Sequence, residues 1–303
     1  MEHVPVLLNE TLDLLRPTPG STFIDCTIGR AGHARAIAEK LGPDGLLIGL
    51  DVDPRNLEFA SRRLKDLPCK SRLFHANFAE LPEVMEQLGP AAARIDGILA
   101  DLGVSTNQLF DDQYGLSFDR PSPLDMRLDP RLERTAADLV NRLGEDELAD
   151  LLFHLAQERH SRRIARKIGE ARRISPILST DRLAEIVRSA SPRRRGEKID
   201  PATRTFLALR MAVNHEAENL TALLTCGPNL LSPGGRMAVI SFQSAEDRAV
   251  KQAFAQLHQQ GLIELVNRKP IQPTEPEIAA NPRSRSAKMR VAKRVEEFNG
   301  SKV

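Results

Sequence analysis

Residues 25–33 read Asp-Cys-Thr-Ile-Gly-Arg-Ala-Gly-His and follow the apolar stretch Thr22-Phe23-Ile24. A strand that breaks into a glycine turn and opens a helix turns backbone N–H groups toward a ligand. The dinucleotide pattern G-x-G-x-x-G is not met, because the matching positions are Gly29, Ala31 and Ala34. The second glycine of that pattern lets a pyrophosphate approach the backbone. Two further groups could complete a ligand site. Asp51 ends the apolar run Gly45–Leu50, 22 residues after Gly29, and can accept from both hydroxyls of a ribose. Asp101 ends the run Ile95–Ala100.

S-adenosylmethionine suits these residues better than a dinucleotide, since it carries no phosphate. Backbone N–H groups near Gly32 and His33 can meet its carboxylate at a helix start, and Asp101 can attract its ammonium. Phe78, in His75-Ala76-Asn77-Phe78-Ala79-Glu80, can pack on adenine. Each residue also has a plainer use: Phe78 as core, Asp101 as a turn cap, His33 as a polar helix-start residue. The seven histidines and three scattered cysteines (Cys26, Cys69, Cys226) form no metal-like spacing. We therefore expect no metal and no disulfide framework.

The elements that must position these groups alternate through the first hundred residues. Strands are expected at 22–25, 45–51, 71–76 and 95–101, and helices at 31–41, from Pro54 along Leu57, Ala60 and Leu64, and at 81–88. A βαβαβαβ rhythm implies a parallel sheet covered on both faces. Residues 102–130, rich in Asp, Ser, Pro and Gly, read as a long functional loop. Helical pattern without strands runs from Thr135 to about Glu218. Strand signals return at 235–242, 263–266 and 289–295, with a helix over 245–260. The expected class is α/β, a Rossmann-like doubly wound sheet with an inserted helical domain. The boundaries read as residues 1–105 and 213–303 for a discontinuous core and 106–212 for the insert.

With 303 residues, 41% of them apolar, the chain can bury a large core. No run of 18 apolar residues marks a membrane span, and no apolar segment follows a basic N-terminus, so a cytoplasmic location is expected. The net charge of +2 hides an uneven distribution. Residues 1–153 hold 16 Lys and Arg against 26 Asp and Glu, residues 154–210 hold 15 against 6, and residues 282–294 hold six basic residues and no acid. Two basic blocks suggest a polyanion partner. Phosphate contacts are expected from Arg162, Arg163, Arg166, Lys167, Arg193, Arg194 and Arg195. With no Trp and one Tyr, recognition by broad base stacking is not expected.

Longer motifs carry a resemblance over nearly the whole chain. Residues 3–11 (HVPVLLNET), 25–33 (DCTIGRAGH), 50–54 (LDVDP), 96–109 (DGILADLGVSTNQL), 115–129 (GLSFDRPSPLDMRLD), 158–168 (ERHSRRIARKI), 201–216 (PATRTFLALRMAVNHE), 231–248 (LSPGGRMAVISFQSAEDR) and 281–290 (NPRSRSAKMR) resemble the RsmH (MraW) family. Members of that family methylate N4 of a cytidine in 16S ribosomal RNA of the bacterial small subunit. The resemblance implies a class I S-adenosylmethionine-dependent methyltransferase, with cofactor contacts at Ala31, Gly32, His33, Asp51, Phe78, Asp101 and Gln108. Three positions depart from the family pattern. Ala31 replaces a glycine, and its backbone contact survives if φ stays negative. Cys26 replaces a glycine, and Gln243 replaces a histidine. No catalytic residue is assigned, since Asp101 is followed by Leu102-Gly103-Val104 rather than the P-P-aromatic of enzymes that use a strand-four acid. Oligomeric state is not legible. The competing readings are a small-molecule methyltransferase and a non-catalytic RNA-binding assembly factor with a retained cofactor pocket.

Overall fold

The structure, a computed structural model, describes residues 5–92, 94–191 and 199–296. It divides into two compact units, residues 1–103 with 218–303, and residues 104–217.

The first unit is built on seven strands: β1 (Thr22–Asp25), β2 (Leu46–Asp51), β3 (Lys70–His75), β4 (Ile95–Asp101), β5 (Leu231–Ser241), β6 (Ile263–Leu265) and β7 (Lys288–Arg294). Their order is β3-β2-β1-β4-β5-β7-β6. β3, β2, β1, β4 and β5 pair in parallel, whereas β7 runs antiparallel to both β5 and β6. The chain leaves β1 toward β2 on one side and later enters β4 on the other. The strand order therefore reverses between β1 and β4, the place where such sheets bind ligands.

Alternate side chains of each strand enter opposite cores, which is why the strands read as nearly continuous apolar runs. On one face Ile24, Ile48, Ile98, Met237 and Val239 pack with Leu81, Leu223 and Phe254. On the other Phe23, Leu47, Leu99, Ala238 and Ile240 pack with Leu15, Ile37, Leu41 and Leu64. The covering helices are α1 (Leu8–Leu15), α2 (Gly32–Leu41), α3 (Pro54–Leu64) and α4 (Leu81–Leu88). β5 begins at Leu231, four residues before the alternating segment, with a register shift opposite Ile95 and Gly97. Ser-Pro-Gly-Gly looks like a turn in sequence, but it enters the sheet as an irregular strand start.

The second unit holds α5 (Thr106–Phe110), α6 (Ala136–Arg142), α7 (Glu145–Ala156), α8 (Ser161–Arg172), α9 (Thr180–Ala190) and α10 (Ala202–Val213). Its core joins Leu139, Leu148, Leu152, Ile164, Ile168, Leu183, Val187, Phe206 and Leu209. The stretch expected to be a long loop is a packed strap. Tyr114, Leu116, Leu124 and Met126 are buried in that same core, and Asn214 clamps the strap by accepting from Leu128 N–H at 2.8 Å and donating to the Met126 carbonyl at 2.8 Å. α11 (Glu216–Leu230) leads back to the sheet, followed by α12 (Ser244–Gln259) and α13 (Glu275–Ala280). Among the described residues, no helix is long and apolar enough to cross a membrane.

Candidate active site

Three carboxylates end three adjacent strands: Asp51 on β2, Asp25 on β1 and Asp101 on β4. Hydrogen bonds hold the turns that follow β1 and β2 in place around them. The Asp51 carboxylate accepts from Gly29 N–H at 2.8 Å, Asp53 N–H at 2.8 Å and Asn56 Nδ2 at 3.3 Å. Asp25 accepts from Thr27 N–H at 3.1 Å, and the Thr27 hydroxyl accepts from Asp101 N–H at 2.7 Å. The 25–33 turn is thus tied to β2 on one side and to β4 on the other. Its geometry needs Gly29 at φ +48°, a left-handed conformation that glycine adopts without strain.

Ala31 also sits in the left-handed region, at φ 57°. The condition stated for it from sequence, a negative φ, is not met. Alanine accepts the conformation at a steric cost, and its buried methyl packs in the core with Ile28 and Ile37. From Ala31 the chain enters α2, whose first residues are Gly32 and His33. Gly32 is required by close approach, because a Cβ there would lie 2.5 Å from Pro5 Cγ. The segment Pro5–Leu7 therefore lies against the turn. It is pinned by His33 Nε2 donating to the Val6 carbonyl at 2.9 Å and by Leu7 N–H donating to Glu277 at 2.7 Å. That contact explains part of the 3–11 motif.

Burial sets the charge state of the site. Asp101 is raised to about 8, first by desolvation and then by the negative charges of Asp25 and Glu246. Asp25 is raised to about 7 and Asp51 to about 6, each mainly by desolvation, with backbone N–H donors opposing. Asp101 Oδ2 stands 3.6 Å from His33 Nδ1, while its Oδ1 is buried with no hydrogen-bond partner among the described residues. An acceptor left in that state costs free energy until a donor reaches it. A cationic donor is the fitting partner.

Phe78 opens a short 3-10 turn (Phe78–Glu80) directly after β3 and is half-buried against the core. Ala76 N–H donates to the Asp51 carbonyl at 3.1 Å, which keeps this turn beside β2. Gln108 lies in the second unit. Its Oε1 accepts from Ser105 N–H at 3.0 Å and from the Ser105 hydroxyl at 2.9 Å, so it caps α5. The spacing Ser105-x-x-Gln108 is a capping-box signature that the sequence reading passed over. Asp25 and Glu246 were also missed. Asp25 follows the same rule as Asp51 and Asp101, an acid closing an apolar strand. Glu246 gives no comparable signal, since its importance arises from accepting Phe242 and Gln243 N–H at 3.0 Å each, at the end of β5. Gln243 is the N-cap of α12.

The basic residues divide by use. On α8, Arg162, Arg163 and Arg166 are exposed, whereas Lys167 is bonded to Glu170 at 2.6 Å. The cluster Arg193, Arg194 and Arg195 lies outside the described residues. Among the described residues no group of three His, Cys, Asp or Glu could hold a metal ion.

A seven-stranded sheet of order 3-2-1-4-5-7-6 with its seventh strand antiparallel, acids at the ends of β1, β2 and β4, and a glycine turn between β1 and α2 define a class I S-adenosylmethionine-dependent methyltransferase. The cofactor of this class is S-adenosylmethionine. Within the class, the chain belongs to the MraW methylase family, whose pattern matches residues 1–295. It is 46% identical over 299 residues to a protein of Acidobacterium capsulatum named ribosomal RNA small subunit methyltransferase H, covering 96% of this chain and 98% of that one. A protein of the same name from Syntrophotalea carbinolica is 46% identical over 310 residues, covering 97% and 98%. Another from Clostridioides difficile is 39% identical over 309 residues, covering 97% and 99%.

Proposed function

We propose that this protein transfers a methyl group from S-adenosylmethionine to N4 of a cytidine in 16S ribosomal RNA of the small ribosomal subunit. The observation that carries the reading is family membership along the whole chain, joined to relatives named for small-subunit ribosomal RNA. The choice of cytidine N4 rests on the motif resemblance.

The residues fit the cofactor in the order in which they stand along the sheet. Phe78 after β3 faces adenine, Asp51 at β2 takes the ribose hydroxyls, and the turn through Ala31, Gly32 and His33 meets the carboxylate. Asp101 at β4 meets the ammonium. Three strand spacings, roughly 14 Å, separate the first group from the last, about the length of a nucleoside carrying an amino-acid arm. The partnerless Asp101 Oδ1 supplies the specific point of fit. The bound cofactor supplies an electrophilic methyl group on a sulfonium.

The chain's own contribution is positioning and electrostatics. The cytosine amine is a weak nucleophile because its lone pair is delocalised into the ring, so the base must be held in line with the methyl and its N–H groups drawn toward acceptors. The base leaves its stack to reach such a site, and contacts to phosphate hold the rest of the RNA. Exposed Arg162, Arg163 and Arg166 suit that task. Nucleoside mass spectrometry of 16S ribosomal RNA, with and without this protein, tests the reading. The expected product is N4-methylcytidine, or its dimethyl form where the ribose already carries a 2′-O-methyl group. A methyl group on another base, or on a small metabolite, overturns it.

A further inference from the structure

The cations of α8 have different commitments. Lys167 is bonded to Glu170 at 2.6 Å, and Arg166 and Arg173 lie in the field of the same carboxylate. Arg172 donates to the Val140 and Leu143 carbonyls at 2.8 and 2.7 Å, at the end of α6. Arg162 and Arg163, in the first turn of α8, are exposed and have no partner among the described residues. The same holds for Arg159, just before the helix. The uncommitted cations therefore gather at one end of α8.

The fold brings an aromatic ring to that end. α7 and α8 form an antiparallel hairpin. Only residues 157–160 connect them, and at the far end a Cβ on Gly169 would stand 3.6 Å from Glu145 Oε2. Phe153, in the last turn of α7, thus shares the corner with the three arginines. It is 45% exposed, and its ring stands edge-on to that of His154, with centroids 5.4 Å apart. Backbone hydrogen bonds fix the corner. Gln157 takes a left-handed conformation and donates its N–H to the Phe153 carbonyl at 2.9 Å, and Glu158 N–H donates to the Leu152 carbonyl at 3.3 Å. Arg159, the next residue, is held beside the turn that carries Phe153. Glu158 is the one acid of residues 151–163, and it is turned inward: it is 4% exposed and accepts from His160 N–H at 2.8 Å. The exposed acids of α7, Asp146, Glu147 and Asp150, lie in its first half.

An isolated exposed Phe says little. A flat apolar ring beside uncommitted arginines fits a ligand that is flat and apolar on one part and anionic on another, as an unpaired nucleotide is. A purely apolar partner would leave the three guanidinium groups unanswered. We propose that the α7–α8 corner holds an unpaired nucleotide of the RNA substrate, with its base on the Phe153 ring and the adjoining phosphates on Arg159, Arg162 and Arg163. This rests on the reading of the substrate as RNA. It adds to that reading a place where one base outside the reaction is gripped by stacking, while guanidinium groups engage the phosphate oxygens through paired N–H donors.

The test uses the full-length chain and small ribosomal subunits lacking the modification. In Phe153→Ala and Phe153→Leu, subunit affinity should fall about tenfold, within the range for one lost base stack. The slope of log K against log salt should not change. Phe153→Tyr and Phe153→Trp still offer a stacking face and should bind as wild type does. Arg159→Gln/Arg162→Gln/Arg163→Gln should flatten the slope by about 2.1–2.7, the loss of three phosphate contacts, whereas Lys167→Gln should leave it unchanged. Cofactor affinity and melting temperature of the Phe153 and arginine variants should match wild type. Wild-type affinity in Phe153→Ala overturns the stack, and a wild-type slope in the triple variant overturns the phosphate contacts. If Leu keeps the affinity and Trp loses it, Phe153 fills a shaped apolar pocket of a protein partner, and the base contact is overturned. Subunit binding by wild type without formation of N4-methylcytidine overturns the proposed function, while the order of the variants still decides the corner. Wild-type protein that does not bind subunits overturns both.

Discussion

At the scale of the residue, the raised carboxyl groups have consequences that can be measured. Asp101, at about 8, holds a proton in the folded protein that it loses in the unfolded chain above its ordinary value of 3.8. Between those values the folded state binds more protons than the unfolded state, so stability must fall as pH rises. Asp25 and Asp51, at about 7 and 6, act in the same direction. The ligand-free protein should therefore melt at higher temperature at pH 5.5–6 than at pH 8.5–9, and Asp101→Asn should flatten that difference. A melting temperature that rises toward pH 8.5 would contradict the assignment. In the proposed site the cofactor ammonium meets Asp101 and favours its anion, so cofactor binding should expel a proton near pH 7. Titration calorimetry in two buffers of different ionisation enthalpy should give different heats, and Asp101→Asn should bring them together. Equal heats for the wild type would remove Asp101 as the ammonium partner. For Asp51, Asp51→Asn keeps the shape of the side chain but loses the charge. Cofactor affinity should drop by roughly 1.5–3 kcal/mol, the range for hydrogen bonds to a charged group. Calorimetry showing unchanged affinity would exclude Asp51 from ribose binding.

At the scale of the element, the strands that carry the site are the most legible part of the sequence. β1, β2 and β4 are apolar runs closed by an acid, and both signals are local. The turn after β1 is legible as a ligand-facing element for the same reason. Its strain is half legible: the glycine that the family pattern carries in place of Ala31 permits a left-handed residue there, but Gly-Arg-Ala-Gly does not by itself show that Ala31 adopts it. Nor does sequence reveal that Pro5–Leu7 lies on Gly32, a contact between segments 27 residues apart. The start of β5 was misplaced because Pro-Gly-Gly is turn chemistry that the sheet overrides. The packed strap at 114–129 read as a loop since its apolar residues follow neither a helical nor a strand period. One element-level consequence concerns the ion pair between β7 and α12. Arg290 and Asp247 are 9% and 14% exposed, so breaking the pair leaves a nearly buried charge. Asp247→Ala should cost about 3–5 kcal/mol, whereas Arg290→Met with Asp247→Leu should cost markedly less. Urea denaturation of the three proteins checks this, and equal losses would show that packing, not charge, holds the strand.

At the scale of the whole molecule, the division into units changes how the charge is read. Residues 104–217 hold 20 Lys and Arg against 18 Asp and Glu, so the helical unit is nearly neutral overall. It is polarised along the chain instead: residues 104–153 hold 5 basic and 11 acidic residues, and residues 154–217 hold 15 and 7. Basic groups are thus concentrated on α8 and the helices that follow it. Contacts distributed in this way supply affinity to a large folded polyanion and little to a short strand, since each exposed cation contributes mainly by releasing counterions from a phosphate it can reach. With one Tyr, no Trp and, among the described residues, only Phe110 and Phe153 as exposed large aromatics, the chain offers few stacking platforms with which to grip a short single strand. The protein should therefore methylate assembled or partly assembled small subunits at least tenfold more efficiently, in kcat/KM, than a short synthetic RNA with the same local sequence. The advantage should shrink as salt is raised from 50 to 200 mM, because the contacts that create it are the ones salt screens. Methyl-transfer assays on both substrates across that range decide the matter: an oligonucleotide methylated as efficiently as the subunit would place recognition in the flipped base and its neighbours, and the basic residues of α8 would then be only solvated surface.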